Sequence, residues 1–125
     1  MITSIYASLS ALLIVRLSLS VIELRRKKRV LVGDGDNEEL QLAIRAHSNA
    51  LEYIPITLLL LLMLELNGAP AILIHLFGTT LLIGRIIHSI GLPGKDLQKR
   101  VLGMQITIYL LIGLAILNIL FLAFA

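Results

Sequence analysis

Hydrophobic side chains along this chain gather into four long runs, broken by three short polar stretches. The pattern predicts helices over about residues 2–24, 40–66, 69–90 and 97–125. Each exceeds the roughly 20 residues a helix needs to cross a hydrocarbon core. The runs are too long for the strands of a membrane barrel and do not alternate strictly. The first run lacks a basic leading region and a small-residue cleavage pattern, so it reads as a retained span rather than a signal peptide. The expected architecture is an all-α membrane protein, a four-helix transmembrane up-down bundle forming a single domain over 1–125.

The polar breaks carry an orientation. The first reads "LRRKKRVLVGDGDNEE", the second is the tight turn "NGAP", and the third reads "GLPGKDLQKR". Lysine and arginine crowd the first and third and are missing from the second. The positive-inside rule then expects those two loops in the cytoplasm and both termini on the non-cytoplasmic side. Four helix ends meet at the charged face. They bring Arg25, Arg26, Arg29, Arg45, Asn49, Glu52, Arg85, His88, Lys99 and Arg100 to one side of the membrane.

Within the second run, Arg45, Asn49 and Glu52 are spaced i, i+4, i+7. At about 100° per residue they fall within roughly 60° of one another, a single stripe, with Tyr53 beside it. Such a stripe either binds neighbouring helices together or faces a guest. Pro55 removes a backbone hydrogen bond to Leu51 and can kink the helix. Arg16 sits nine residues before Arg25, roughly 13 Å deeper at about 1.5 Å per residue. Unpaired there, it would cost at least about 2.5–3.5 kcal/mol, so a pair with Glu52 is expected. Arg85 and His88 end the third run as i and i+3; His88 is either an acid–base group or a hydrogen-bonded helix-end histidine. His75 is expected at the far interface, with His47 and Glu65 facing away from the stripe. Gln105, Tyr109 and Asn118 are expected to hydrogen-bond between helices. Gly78, Gly84 and Gly103 suggest close helix approach.

Composition sharpens this. The chain is 58% hydrophobic over 125 residues, with a mean hydropathy of +0.94, above the roughly 45–50% apolar content of a soluble domain. It has no cysteine, so any thiol chemistry must arrive with a substrate. The net charge is +3 and the pI about 9.6. Because the basic residues abut apolar runs and no aromatics interleave with them, the excess points to topology and anionic lipid rather than nucleic acid. "RRKKR" is an electrostatic anchor, or an attractor of an anionic substrate. "DGDNEE" fails as a calcium loop: counted from Asp34, Glu39 stands where the glycine belongs and Arg45 where the final glutamate belongs. The three histidines lack the spacing of a zinc motif, so no metal is expected.

"RAHSNALEYIP", with the preceding "LRRKKR" and the later "GRIIH", resembles MAPEG, the membrane-associated proteins in eicosanoid and glutathione metabolism, and within it the small bacterial branch. The likeness covers the whole chain. It implies a homotrimer of four-helix subunits in a bacterial inner membrane, with glutathione held between adjacent subunits near the cytoplasmic face. It further implies that Arg45, Asn49, Glu52 and Tyr53 line the glutathione site, that Arg26, Arg85 and His88 complete it, and that Arg100 activates the thiol, with Lys99 a rival. The chain departs from several eicosanoid-making members: Leu92 stands near where they have tyrosine, and Ser48 where one branch has a second arginine.

The chemistry is consistent with the likeness. Arginine forks suit the carboxylates of glutathione, and Glu52 suits its ammonium. A free thiol of pKa about 8.5 is lowered by a nearby arginine. The expected function is a glutathione-dependent membrane transferase, or peroxidase, joining that thiolate to hydrophobic electrophiles, with glutathione as cosubstrate. Its partners would be a second and third copy of itself, membrane lipid and the electrophile. The alternatives are a non-catalytic binding or scaffold protein of the same fold and a small four-span drug exporter; the latter typically needs an acidic residue within the first span, where this chain has Arg16 and only a peripheral Glu23.

Overall fold

The computed structural model describes residues 1–91 and 96–124. It is an all-α membrane bundle of four helices, α1 (Thr3–Lys28), α2 (Glu38–Leu66), α3 (Ala71–Gly91) and α4 (Leu97–Ala123). All four are long and apolar enough to cross a membrane. The helix positions match those expected from the hydrophobic runs, but polar residues extend several ends. α1 continues through Arg25, Arg26, Lys27 and Lys28, because cations at a helix C-terminus complement its partial negative charge. It stops at Arg29, which adopts the left-handed conformation at φ 58°. α2 starts at Glu38 because the Asn37 side chain accepts the Leu40 N–H, with Glu38 and Glu39 in the first turn. α2 passes Pro55 without interruption. The second turn closes as the sequence suggests: Gly68 at φ 86° donates to the Glu65 carbonyl, and Ala69 to that of Leu64.

Packing differs between the two ends. At the end away from the charged loops, Tyr6, Leu61, Leu64, Ile74, Leu81, Leu110 and Leu114 form one core cluster. Hydrogen bonds tie the helices together there. The Glu65 carboxylate accepts the Ile2 N–H at 2.5 Å and the Thr3 N–H at 2.8 Å, capping α1 from α2. Tyr6 reaches His75 Nδ1 at 2.7 Å, so His75 fastens α3 to α1. Asn118 donates to the Leu60 carbonyl, joining α4 to α2 as expected. Gln105 and Tyr109, expected to do likewise, are exposed on α4; they fall on the face turned out from the bundle. Nearer the charged end, α1 meets α2 through Leu17 packed with Ala46, Ala50 and Ile54.

The α3–α4 contact positions the functional side chains. A Cβ on Gly103 would lie 2.6 Å from the His88 backbone nitrogen and 2.7 Å from the Gly84 carbonyl oxygen. A Cβ on Gly84 would lie 2.8 Å from Ile106. Both glycines are therefore required for close approach, as their placement in the apolar runs suggests. Gly103→Ala is expected to push α3 and α4 apart and destabilise the bundle by about 1–3 kcal/mol. Thermal unfolding in detergent followed by circular dichroism checks it, and an unchanged transition would rule out the tight contact. Glu65→Ala is expected to cost about 1 kcal/mol by leaving the first turn of α1 uncapped. Hydrogen exchange confined to residues 2–6 is the matching readout.

Candidate functional site

At the charged end, three helices enclose a recess of about 270 Å³ lined by Arg45, Ser48, Asn49 and Glu52 of α2, His88 of α3, and Arg100 and Met104 of α4. The i, i+4, i+7 stripe thus faces one space, and His88 and Arg100 join it. Arg100 is presented by the first turn of α4, which begins where Asp96 accepts the Lys99 N–H. The Lys99 ammonium lies 4.0 Å from the Asp96 carboxylate and is not among the lining groups, so of the two neighbouring cations Arg100 faces the recess.

Behind this wall lies Arg85, 1% exposed. Its Nη2 donates to Asn49 Oδ1 at 2.5 Å and lies 3.3 Å from His88 Nδ1. Its Nη1 donates to Thr107 Oγ1 at 3.3 Å and contacts the Met104 sulfur. The guanidinium carbon stands 6.0 Å from the centre of the Tyr53 ring, within cation–π range. Among the described residues all of these partners are neutral side chains, and Arg85 Nε has no partner. A buried cation without a carboxylate is costly, and it favours an anion nearby. Tyr53 therefore borders Arg85 rather than the recess.

One expected site residue stands apart from the recess, and one expected pair fails. Arg26 is exposed on α1, and among the described residues α1 packs on α2 and α3 but not on α4. Arg26 therefore stands outside the recess of its own subunit. The expected Arg16–Glu52 pair is not formed: both residues are exposed, although α1 and α2 touch. The reason is angular. The helices meet through Leu17, Ala50 and Ile54; Arg16 lies about 100° round α1 from Leu17, and Glu52 about 200° round α2 from Ala50. Leu92 lies outside the described residues.

Thr107 was not expected in the site. Its signal was available: Arg100, Gly103, Met104 and Thr107 are spaced i, i+3, i+4, i+7 along α4. A lone threonine in an apolar helix usually bonds back to its own helix. Thr107 does so, donating to the Gly103 carbonyl at 2.8 Å, and its remaining lone pair serves Arg85.

The MAPEG family profile matches residues 3–120. The chain is also 46% identical over 107 residues to the inner membrane protein YecN of Escherichia coli K12, covering 86% of this chain and 82% of that protein. The protein of the same name from E. coli O6:H1 strain CFT073 matches to the same extent. The residues matched run through all four helices and every group lining the recess, and the chain belongs to the MAPEG family.

Proposed function

We propose that the recess binds glutathione and presents its thiolate beside Arg100 to a hydrophobic electrophile entering from the lipid. The observation that carries this reading is Arg85, a buried guanidinium held by neutral groups directly behind a wall that also carries Arg45 and Arg100. Glutathione is net anionic before its thiol ionises. Arg45 and Arg100 offer planar forks for its carboxylates and thiolate, and Glu52 accepts its ammonium. Conjugation then needs no covalent side chain. The thiolate sulfur forms a bond to the electrophilic carbon while the leaving group departs with its electron pair. Arg100 stabilises the thiolate, and the enclosure supplies proximity. Reduction of a lipid hydroperoxide at the same site would consume two glutathiones and give their disulfide, an alcohol and water.

The recess holds about 270 Å³, close to the roughly 300–1,000 Å³ of small-molecule sites. The family likeness supports a site finished by an adjacent subunit in a homotrimer, which would also carry Arg26 of the partner subunit to its rim. The membrane is the bacterial inner membrane, with the basic loops in the cytoplasm.

Titration of the detergent-purified protein with glutathione, followed by thiolate absorbance in the ultraviolet, tests this reading. The wild type is expected to raise the thiolate fraction near neutral pH. Arg45→Ala is expected to weaken binding about 10- to 100-fold, the loss of charge-assisted hydrogen bonds worth roughly 1.5–3 kcal/mol. Arg100→Ala is expected to keep most of the affinity and lose the thiolate signal and turnover with a model electrophile. Full turnover with an unchanged thiolate band in Arg100→Ala would remove Arg100 from its role. Binding without product across a panel of electrophiles would select the non-catalytic alternative.

Arg85→Met separates a ligand-directed cation from a structural one. Thr107 keeps its bond to the Gly103 carbonyl, and Asn49 borders the recess, where water replaces the lost donor. The variant is expected to unfold at the wild-type temperature or above without glutathione, and to lose the stabilisation that saturating glutathione gives the wild type, about 2.7 kcal/mol at a hundred times Kd. A large drop in the ligand-free melting temperature would make Arg85 a structural residue.

A further inference from the structure

A second cavity, of about 310 Å³, opens between α1 and α2 at the charged end. It is separate from the recess. α2 turns Ala43 and Ala46 to it, and Arg45, two positions past Ala43, lies about 200° round the helix. Both alanines are buried, and each offers α1 only a methyl group. Leu17 and Leu24 give the cavity an apolar wall on α1. Ser20, Glu23 and Lys27, spaced i, i+3, i+7, bring polar groups of α1 to the same space. At its outer end Lys28 reaches Glu39 of α2 at 3.7 Å and joins the two helices.

The charges of this cavity are not spent on one another. Glu23 and Lys27 are four residues apart, a spacing suited to an ion pair. Among the described residues neither takes part in one. Glu23 lies about 7.5 Å inside the Lys28 end of α1, and Lys27 about 6 Å further out. A carboxylate at that depth is expensive without a cation beside it. An inorganic cation would answer Glu23 and leave Lys27 and the apolar wall unused. An anionic lipid would answer Lys27 and set a second negative charge near Glu23. A zwitterion with acyl chains answers all three.

We infer that the cavity is a site for a phospholipid with a primary-amine headgroup, of the phosphatidylethanolamine class. Its ammonium donates to the Glu23 carboxylate and the Ser20 hydroxyl, its phosphate accepts from Lys27, and an acyl chain lies along Leu17 and Leu24. The primary amine follows from hydrogen bonding. Its three N–H donors meet a carboxylate and a hydroxyl, whereas a trimethylated ammonium keeps the charge and offers no donor. The volume falls within the roughly 300–1,000 Å³ of small-molecule sites, room for a headgroup whose chains continue into the bilayer. A lipid seated there braces α1 against α2 between the Leu17 contact and the Lys28–Glu39 pair. The inference does not depend on glutathione.

Delipidated protein in detergent, titrated with dioleoyl lipids that differ only in headgroup and followed by native mass spectrometry, tests the site. The probes are phosphatidylethanolamine, its N-monomethyl and N,N-dimethyl derivatives, phosphatidylcholine and phosphatidylglycerol. The wild type is expected to hold phosphatidylethanolamine about five- to tenfold more tightly than phosphatidylcholine, with affinity falling at each methylation. Glu23→Gln is expected to lose that discrimination. Lys27→Gln is expected to weaken both lipids alike, because both carry the phosphate. Ser20→Leu fills the cavity with a side chain that lipid tolerates, and is expected to block every probe. Unfolding in lipid-free detergent, followed by circular dichroism, is expected to be the same for all three variants and the wild type.

The methylation series is read on the wild type, so it stands whether or not a variant folds. Equal retention of phosphatidylethanolamine and phosphatidylcholine overturns the inference. So does phosphatidylglycerol binding most tightly, which would make the cavity part of a basic anchor alone. Full discrimination in a folded Glu23→Gln variant overturns it as well.

Discussion

The guanidinium of Arg85 sets the terms for the charged half of the bundle. It is enclosed by α2, α3 and α4, and its hydrogen bonds run to Asn49, Thr107 and the ring of His88. A cation so placed survives only if every wall contributes an acceptor or a ring face. That requirement explains several residues at once. Asn49 offers a carbonyl oxygen, Thr107 a hydroxyl already anchored to its own helix, and Tyr53 the face of a ring. It also explains Gly84 and Gly103, because a Cβ on either would hold α4 away from the side chain it must help to solvate.

The two ends of the bundle solve opposite problems. The far end is closed by polar side chains that reach across helices. Glu65 caps α1, Tyr6 and His75 join α1 to α3, and Asn118 joins α4 to α2. These bonds satisfy groups that lipid cannot. At the charged end the polar groups are not spent on one another in the same way: Arg45, Glu52 and Arg100 remain exposed around a space. The fold thus locks one end with hydrogen bonds between helices and leaves Arg45, Glu52 and Arg100 around open space at the other.

Much of this was legible in the residues. Four apolar runs were enough for the helices, because length against bilayer thickness leaves few alternatives. The α2 stripe was legible because helical periodicity alone puts Arg45, Asn49 and Glu52 on one side. The polar helix ends were underestimated: Arg25 to Lys28 continue α1 although they are charged, a capping effect that hydrophobic runs do not report. The Arg16–Glu52 pair failed because depth can be counted along a sequence, but the angle between two helices cannot. Arg26 stands outside the recess of its own subunit because, among the described residues, α1 packs on α2 and α3 and not on α4, a choice of neighbours that the pattern does not report. Thr107 was missed because its role depends on which helix packs against α4, not on its own neighbours.

The two awkward arginines can be understood together. Arg85 is buried with neutral partners, and Arg16 is exposed at a depth where lipid cannot solvate it; one chain satisfies neither. Adding carboxylates inside the subunit would have neutralised both, and the chain carries Glu52 within reach in depth, yet the helix faces turn it away from each. Under the proposed function an anion in the recess would answer Arg85, whereas Arg16 lies on the outer face of α1, away from the recess that Glu52 borders. The surplus positive charge of this bundle is then neither a lipid anchor alone nor a defect of the fold. On the proposed reading, an anion bound in the recess lowers the electrostatic cost that Arg45, Arg85 and Arg100 leave in the subunit alone.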